Sequence, residues 1–207
     1  MAQATVQTLA GNTLQISEEK LDTLRHCLRG SACLPGEPGY DEARTLWNAM
    51  IDLSPGLVIR CAGAADVIQA VDFARENELL LAVRGGGHNI AGKGCCDKGL
   101  MIDLSPMQSV RIDSANHTAR VEPGALLADF DKEAQAFGLV TPLGINSTTG
   151  VAGLTLGGGF GWVSRKYGLT IDNLLSADVV TADAQLIETV IIKAIKSDPV
   201  ELISGLN

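Results

Sequence analysis

The stretch "TTGVAGLTLGGGFGW", residues 148 to 162, holds glycines at 150, 153, 157, 158, 159 and 161. In a helix or strand interior each would cost about 1 kcal/mol relative to alanine. The density therefore predicts irregular backbone that approaches something closely. A second such place is "LAVRGGGHNI", residues 81 to 90, where an apolar strand runs into Gly85, Gly86 and Gly87 and His88 follows. Bare loops that expose successive N–H groups form anion-binding concavities, with a diphosphate as a common occupant. The alternative for either loop is that its glycines only make tight turns.

Two familiar phosphate motifs fail on single residues. "GHNIAGK", from Gly87 to Lys93, has P-loop spacing, but Gly94 stands where Ser or Thr must ligate magnesium. A G-x-G-x-x-G pattern from Gly157 would need glycine at 162, where Trp162 sits. His88 alone reads equally as a satisfied surface imidazole, a base, a metal ligand or a covalent anchor.

Composition narrows the partners. The chain of 207 residues is 46% hydrophobic and 19% charged, with net charge −8. This balance suits a globular protein and disfavours a nucleic-acid surface, which needs clustered Lys and Arg. The five cysteines, at 27, 33, 61, 95 and 96, are odd in number and scattered, so reduced thiols are expected. The short recurring spacings of a zinc site are absent, and no metal is expected. Neither a signal-peptide pattern nor about 18 uninterrupted apolar residues occurs, so a cytoplasmic protein without a membrane segment is expected.

Local patterns give the elements. "SEEKLDTLRHCLRG" predicts a helix with Leu21, Leu24 and Leu28 on one face, Ser17 as N-cap and Gly30 as stop. "GLVIRC" predicts a strand, and "ADVIQAVDFARENE" a helix with Val67, Val71 and Ala74 inward, Asp66 at its positive end and Asn77 near its stop. "LLLAV" reads as a buried strand, completing a parallel strand-helix-strand unit. "GLMIDLS" and "TARVEPG" are further strands. "ALLADFDKEAQAFG" is a helix with Leu126, Phe130 and Phe137 inward, ended by Gly138. "NLLSADVVTADAQLIE" gives two strands around "TADAQ", and Arg165, Lys166 and Tyr167 read as a solvated turn. The result is two α+β lobes divided near residue 105.

"AVRGGGHN", "GLMIDLSPM", "ARVEPGA" and "GLVTPLGINSTTGVAGLTLGGGFGWVSRKYGLTIDNLLSADVVTADAQLI" resemble the FAD-binding domain of the vanillyl-alcohol oxidase, or PCMH-type, superfamily. Within it they are most similar to bacterial berberine-bridge-enzyme-like oxidoreductases, over roughly residues 40 to 187. The resemblance implies an α+β fold: two subdomains, 40–104 and 105–188, with FAD between them, residues 1–39 as an N-terminal helix and loop, and 189–207 as an atypical tail. It implies that Arg84, Gly85, Gly86, Gly87, His88 and Asn89 line the nucleotide, together with Asn146, Thr148, Thr149, Gly150, Gly153, Gly157, Gly158, Gly159 and Gly161. The backbone of Val180 falls at a position that touches FAD in the family.

In the family the histidine after the glycine run is bonded to the flavin 8α-methyl carbon, and His88 holds that place. Some members add a second link through a cysteine where Asn146 stands here, which implies a single attachment with Cys95 and Cys96 uninvolved. Such enzymes oxidise small alcohols, sugars or amines with oxygen as acceptor. They are about twice as long, and the tail "ETVIIKAIKSDPVELISGLN" departs from their continuation. A truncated chain without the substrate domain is therefore expected, no catalytic base is named, and a non-catalytic FAD-binding remnant is the alternative to an active oxidoreductase. Family members often carry glycine where Ala184 stands; alanine there would cost about 1 kcal/mol in a left-handed conformation or force a longer turn.

Overall fold

The computed structural model describes residues 3–187 and the backbone of 191–193 and 195–196. These form two compact units: one runs to Met107 and takes in Val179–Ile187, and the other holds Gln108–Asp178 with the described part of the tail. Residues 1–39 thus supply elements of the first unit, and the sequence "VVTADAQLI" joins that unit as well.

In the first unit, β1 (Ala4–Gln7) and β2 (Thr13–Ile16) make a hairpin, followed by α1 (Glu18–Cys27) and β3 (Ser31–Cys33). Then come α2 (Tyr40–Arg44), β4 (Leu57–Arg60), α3 (Ala64–Glu76), β5 (Leu81–Arg84) and β6 (Leu100–Asp103). The sheet order is β3-β4-β6-β5, with β4 and β5 parallel to β6 and β3 antiparallel to β4. Alternation divides the central strands between two faces. Leu57, Ile59, Leu100 and Ile102 pack with Leu21, Ala70 and Phe73, while Val58 and Met101 pack with Tyr40, Ala43, Leu46 and Cys95. Both faces of β4 and β6 are covered, as parallel strands require.

Helix α1 begins as its sequence predicts: the Ser17 hydroxyl accepts from the Lys20 N–H at 3.4 Å, and Leu21 and Leu24 are buried. It ends at Cys27, before Gly30. Gly30 is required for a different reason, since any Cβ there would collide with the Arg60 carbonyl. Asp66 does more than face the helix end. It is buried and accepts N–H groups from Arg29, Gly30 and Ala62 at 2.8–2.9 Å, tying the α1–β3 and β4–α3 connections together. Strand β5 is a correction: it lies at the sheet edge, so Ala82 is buried while Leu81 and Val83 stay exposed.

The second unit pairs β7 (Val110–Asp113) with β8 (Thr118–Val121), then continues through α4 (Leu127–Gln135) and β9 (Leu139–Val140). Two short helices, α5 (Val151–Leu156) and α6 (Ser164–Tyr167), and a 3₁₀ turn at Ile171–Asn173 lead to β10 (Leu174–Ser176). The core is Leu127, Phe130, Ala134, Leu139, Leu143 and Val151 against β7 and β8. Leu127, and not Leu126, is the inward residue, because Leu126 caps the helix and its N–H is held by Asp129 at 2.8 Å. Phe137 lies past the end of α4 and is 51% exposed, so it is no core residue. Gly138 does take the left-handed conformation after the helix, at φ +63°.

The chain then makes the hairpin β11 (Val179–Val180) and β12 (Leu186–Ile187) of the first unit. In the second unit β13 (Ile191–Lys193) lies between β8 and β10, and β14 (Ile195–Lys196) pairs with β9. The remainder of 188–207 lies outside the described residues. No helix among the described residues is long and apolar enough to cross a membrane.

At the β11–β12 turn Ala184 has φ +60°, the conformation its Cβ opposes. Ala184→Gly is expected to raise stability by about 1 kcal/mol, read as a higher urea midpoint at unchanged slope.

Candidate functional site

The first glycine loop follows the C-terminal end of β5, where Arg84 is in register with Asp103 of β6, and Asp103 in turn with Arg60 of β4. Asp103 is fully buried. Its Oδ1 accepts from Arg84 Nη1 and from the Ser105 N–H, each at 3.0 Å, and its Oδ2 accepts the Ser105 hydroxyl at 2.9 Å and lies 3.3 Å from Arg60 Nε. One carboxylate thereby holds two guanidinium groups at the ends of the two strands that flank β6. Arg84 lies directly beneath Gly87. That glycine has φ +69°, and a Cβ on it would sit 2.9 Å from Arg84 Nε, so both conformation and contact demand glycine. Arg84 Nε is buried and has no hydrogen-bond partner among the described residues.

His88 comes next, half-buried, its ring stacked on Trp47 with centroids 4.5 Å apart and planes 24° from parallel. Among the described residues, the N–H groups of Gly85, Gly86 and Gly87 donate to no other protein group. Asn89 is exposed, and its side chain accepts the Lys93 N–H at 3.1 Å.

In the second unit the loop from Asn146 is laid along the start of α4. The Asn146 side chain accepts both the N–H and the hydroxyl of Thr148, at 3.2 and 2.9 Å. The carbonyls of Ser147 and Thr149 accept from Ala128 and Leu127 at 3.1 and 2.9 Å. Gly150 is buried and caps α5, and Gly153 lies inside that helix. The density of glycine had argued against a helix; burial of Val151 and Thr155 on one face of this short element outweighs the cost of Gly153 on the other.

The glycines of this stretch are of two kinds. A Cβ on Gly159 would collide with Thr170 Oγ1, and one on Gly161 with the Leu143 carbonyl, so these two serve the protein's own packing. A Cβ on Gly153 or Gly158 would meet nothing within 4 Å. Gly158 has φ +99°, which itself favours glycine, whereas the bareness of Gly153 answers no internal demand. Gly157 is tight, its Cβ position 3.3 Å from the Gly153 carbonyl. Asn173 fastens the following turn by donating to the carbonyls of Tyr167 and Leu169 at 3.0 and 2.9 Å. Val180 sits in β11, opposite Leu186. Arg165 and Lys166 are exposed on α6.

These features define a flavin-nucleotide-binding fold of the PCMH type, and comparison with known proteins agrees. The chain belongs to the FAD binding domain family, whose sequence profile matches residues 55–189. It is 39% identical over 160 residues to (R)-6-hydroxynicotine oxidase of Paenarthrobacter nicotinovorans, covering 77% of this chain and 35% of that protein. A solved 6-hydroxy-D-nicotine oxidase from Arthrobacter nicotinovorans superposes with TM-score 0.79 at 32% identity, over 82% of this chain and 43% of the other. A berberine-bridge-enzyme-like protein of Physcomitrella patens gives TM-score 0.75 at 29% identity, over 82% of this chain and 37% of that one. The chain thus spans about a third of the length of the curated relatives it matches. It is an FAD-binding domain similar to those of FAD-linked oxidoreductases.

FAD, the group this family implies, fits what is present. Three successive N–H groups without an acceptor among the described residues suit a diphosphate, and Gly153 leaves backbone bare where neither a neighbour nor its own conformation requires it. Three participants were not foreseen from the sequence. Asp103 looked like one more strand residue in "MIDLS", and Arg60 and Trp47 act on residues far along the chain. The only local hint was the large aromatic in "TLWNAM".

No group of three His, Cys, Asp or Glu side chains among the described residues is placed to hold a metal. All five cysteines are free. Burial pushes the Cys61 thiol up to about 12 and Cys96 to about 11, and it raises Cys33 and Cys95 as well. Raised thiols hold less reactive thiolate. A colorimetric thiol reagent at about pH 8 is therefore expected to label only exposed Cys27 rapidly in the folded protein, and the other four after denaturation.

Proposed function

We propose that this chain holds FAD along Arg84–Asn89 and Asn146–Gly161, bonded covalently at His88, as part of an oxidase for small alcohols, sugars or amines with dioxygen as acceptor. The observation that carries the reading is the loop behind β5. Its three glycine N–H groups lack acceptors among the described residues, a guanidinium lies beneath, and an imidazole stands immediately after.

Bound there, FAD would supply two-electron acceptance from the donor, chemistry that belongs to the cofactor. The chain's residues bind, orient and tether. Gly85, Gly86 and Gly87 offer N–H donors toward the diphosphate, and Arg84 adds positive charge next to them, which favours an anion. His88 would tether the group through a ring nitrogen, giving up its ring proton for a bond to the 8α-carbon in place of one C–H bond, with dioxygen, reduced to hydrogen peroxide, as the two-electron oxidant. No second tether is available, because Asn146 is neither nucleophilic nor free: its side-chain oxygen is engaged by Thr148. The relatives' names speak of nicotine derivatives, and a small cyclic amine is accordingly among the donors to try first.

The test is denaturing electrophoresis under ultraviolet light with intact-mass measurement. Wild type is expected to give a fluorescent band and a mass increase equal to one FAD, and His88→Ala to give neither while still taking up reversible flavin. A dark wild-type band from protein that carries flavin natively would overturn the covalent reading.

A further inference from the structure

Residues 45–51, "TLWNAMI", take no part in the functional reading above, yet they run along the histidine loop and touch it at several points. The Trp47 N–H donates to the Gly87 carbonyl at 3.1 Å. The Trp47 ring stacks on His88. The Asn48 side-chain NH₂ donates to the Ile90 carbonyl at 2.8 Å, and the Ile51 side chain fills the space where a Cβ on Gly92 would be. The segment is itself fastened: the Met50 N–H donates to Asn48 Oδ1 at 3.2 Å, and Arg44 at the end of α2 donates to the Leu53 carbonyl at 3.1 Å and pairs with Asp41 and Asp52.

Trp47 is also oddly placed for a packing residue. It is 54% exposed, so burial does not explain its position, and its largest aromatic contact is the His88 ring. A histidine side chain turns about two bonds, and a productive bond to carbon requires one ring nitrogen to point along one direction. Fixing that plane beforehand removes rotational freedom that would otherwise be lost in the reaction.

Resting on the reading that FAD is attached at His88, we propose that Trp47 is a positioning residue for that attachment. It holds the plane of the His88 imidazole from one face, while the Asn48 and Ile51 contacts keep the loop from drifting. It touches no reacting atom and acts only through the histidine.

The experiment follows attachment in time. Apo protein is mixed with FAD in air, samples are denatured at intervals, and the fluorescent band and FAD-bearing mass are quantified for wild type, Trp47→Ala and Trp47→Phe. Reversible FAD affinity is measured on the same substitutions in a His88→Ala background. In parallel, the ring-proton resonances of His88 are recorded in apo protein; with only three histidines in the chain they are assigned by difference from His88→Ala.

Trp47→Ala is expected to slow attachment about tenfold with reversible affinity unchanged, and Trp47→Phe to restore most of the rate. The His88 ring protons should move downfield in Trp47→Ala as the indole ring current is lost, with the rest of the amide spectrum unmoved. Attachment by Trp47→Ala at the wild-type rate, or slowing that merely follows weaker reversible binding, overturns the inference and leaves the attachment reading standing. Wild type that never attaches FAD overturns both.

Discussion

The loop that carries His88 depends on one buried carboxylate. Asp103 ends the central strand of the parallel sheet with no exposure to solvent, and its two oxygens are shared among Arg84, Arg60 and Ser105. Breaking such a set by removing one partner typically costs about 3–5 kcal/mol, because the charge left behind has no water to fall back on. The pairing fixes Arg84, and Arg84 in turn occupies the space beneath Gly87 where any side chain would go. Charge, strand register and a bare backbone thus act in sequence to present three N–H groups at the carboxyl end of a parallel strand, the place where open α/β sheets gather their ligands.

The same division between internal need and external purpose separates the glycines of the second unit. Gly159 and Gly161 are explained by Thr170 and Leu143. Gly158 is explained by its own backbone, at φ +99°, and Gly153 by neither a contact nor its conformation, which is what a closely approaching ligand would ask of it. Within this glycine-rich motif, packing, backbone conformation and bare surface thus fall to different residues.

Much of this was legible beforehand where the cause is local. Ser17 and the Leu21–Leu24 face announce α1, the apolar runs of "LVIR" and "LMI" announce strands, and of the left-handed residue or longer turn that Ala184 implied, the first is found. Readings failed where a neighbour distant in sequence decides. "LLLAV" is as apolar as a buried strand, but it sits at a sheet edge, which sequence alone does not reveal. Phe137 has the right spacing for the α4 stripe, yet the helix stops at Gln135 and leaves it outside. Gly153 was judged by propensity, while the burial of Val151 and Thr155 decided the helix. The pairing of Asp103 with Arg60 and the Trp47–His88 stack join segments that no local pattern connects.

The dependence on Asp103 is open to one direct measurement: FAD affinity by fluorescence titration in a His88→Ala background, where binding stays reversible, with and without Asp103→Asn. Circular dichroism on both proteins checks that the sheet survives. If the buried carboxylate shapes the glycine loop through Arg84, the added substitution weakens FAD binding by about tenfold or more, a difference of about 1.4 kcal/mol, in protein that remains folded. Equal affinity in the two folded proteins would contradict it and would mean that the loop takes its form without Asp103.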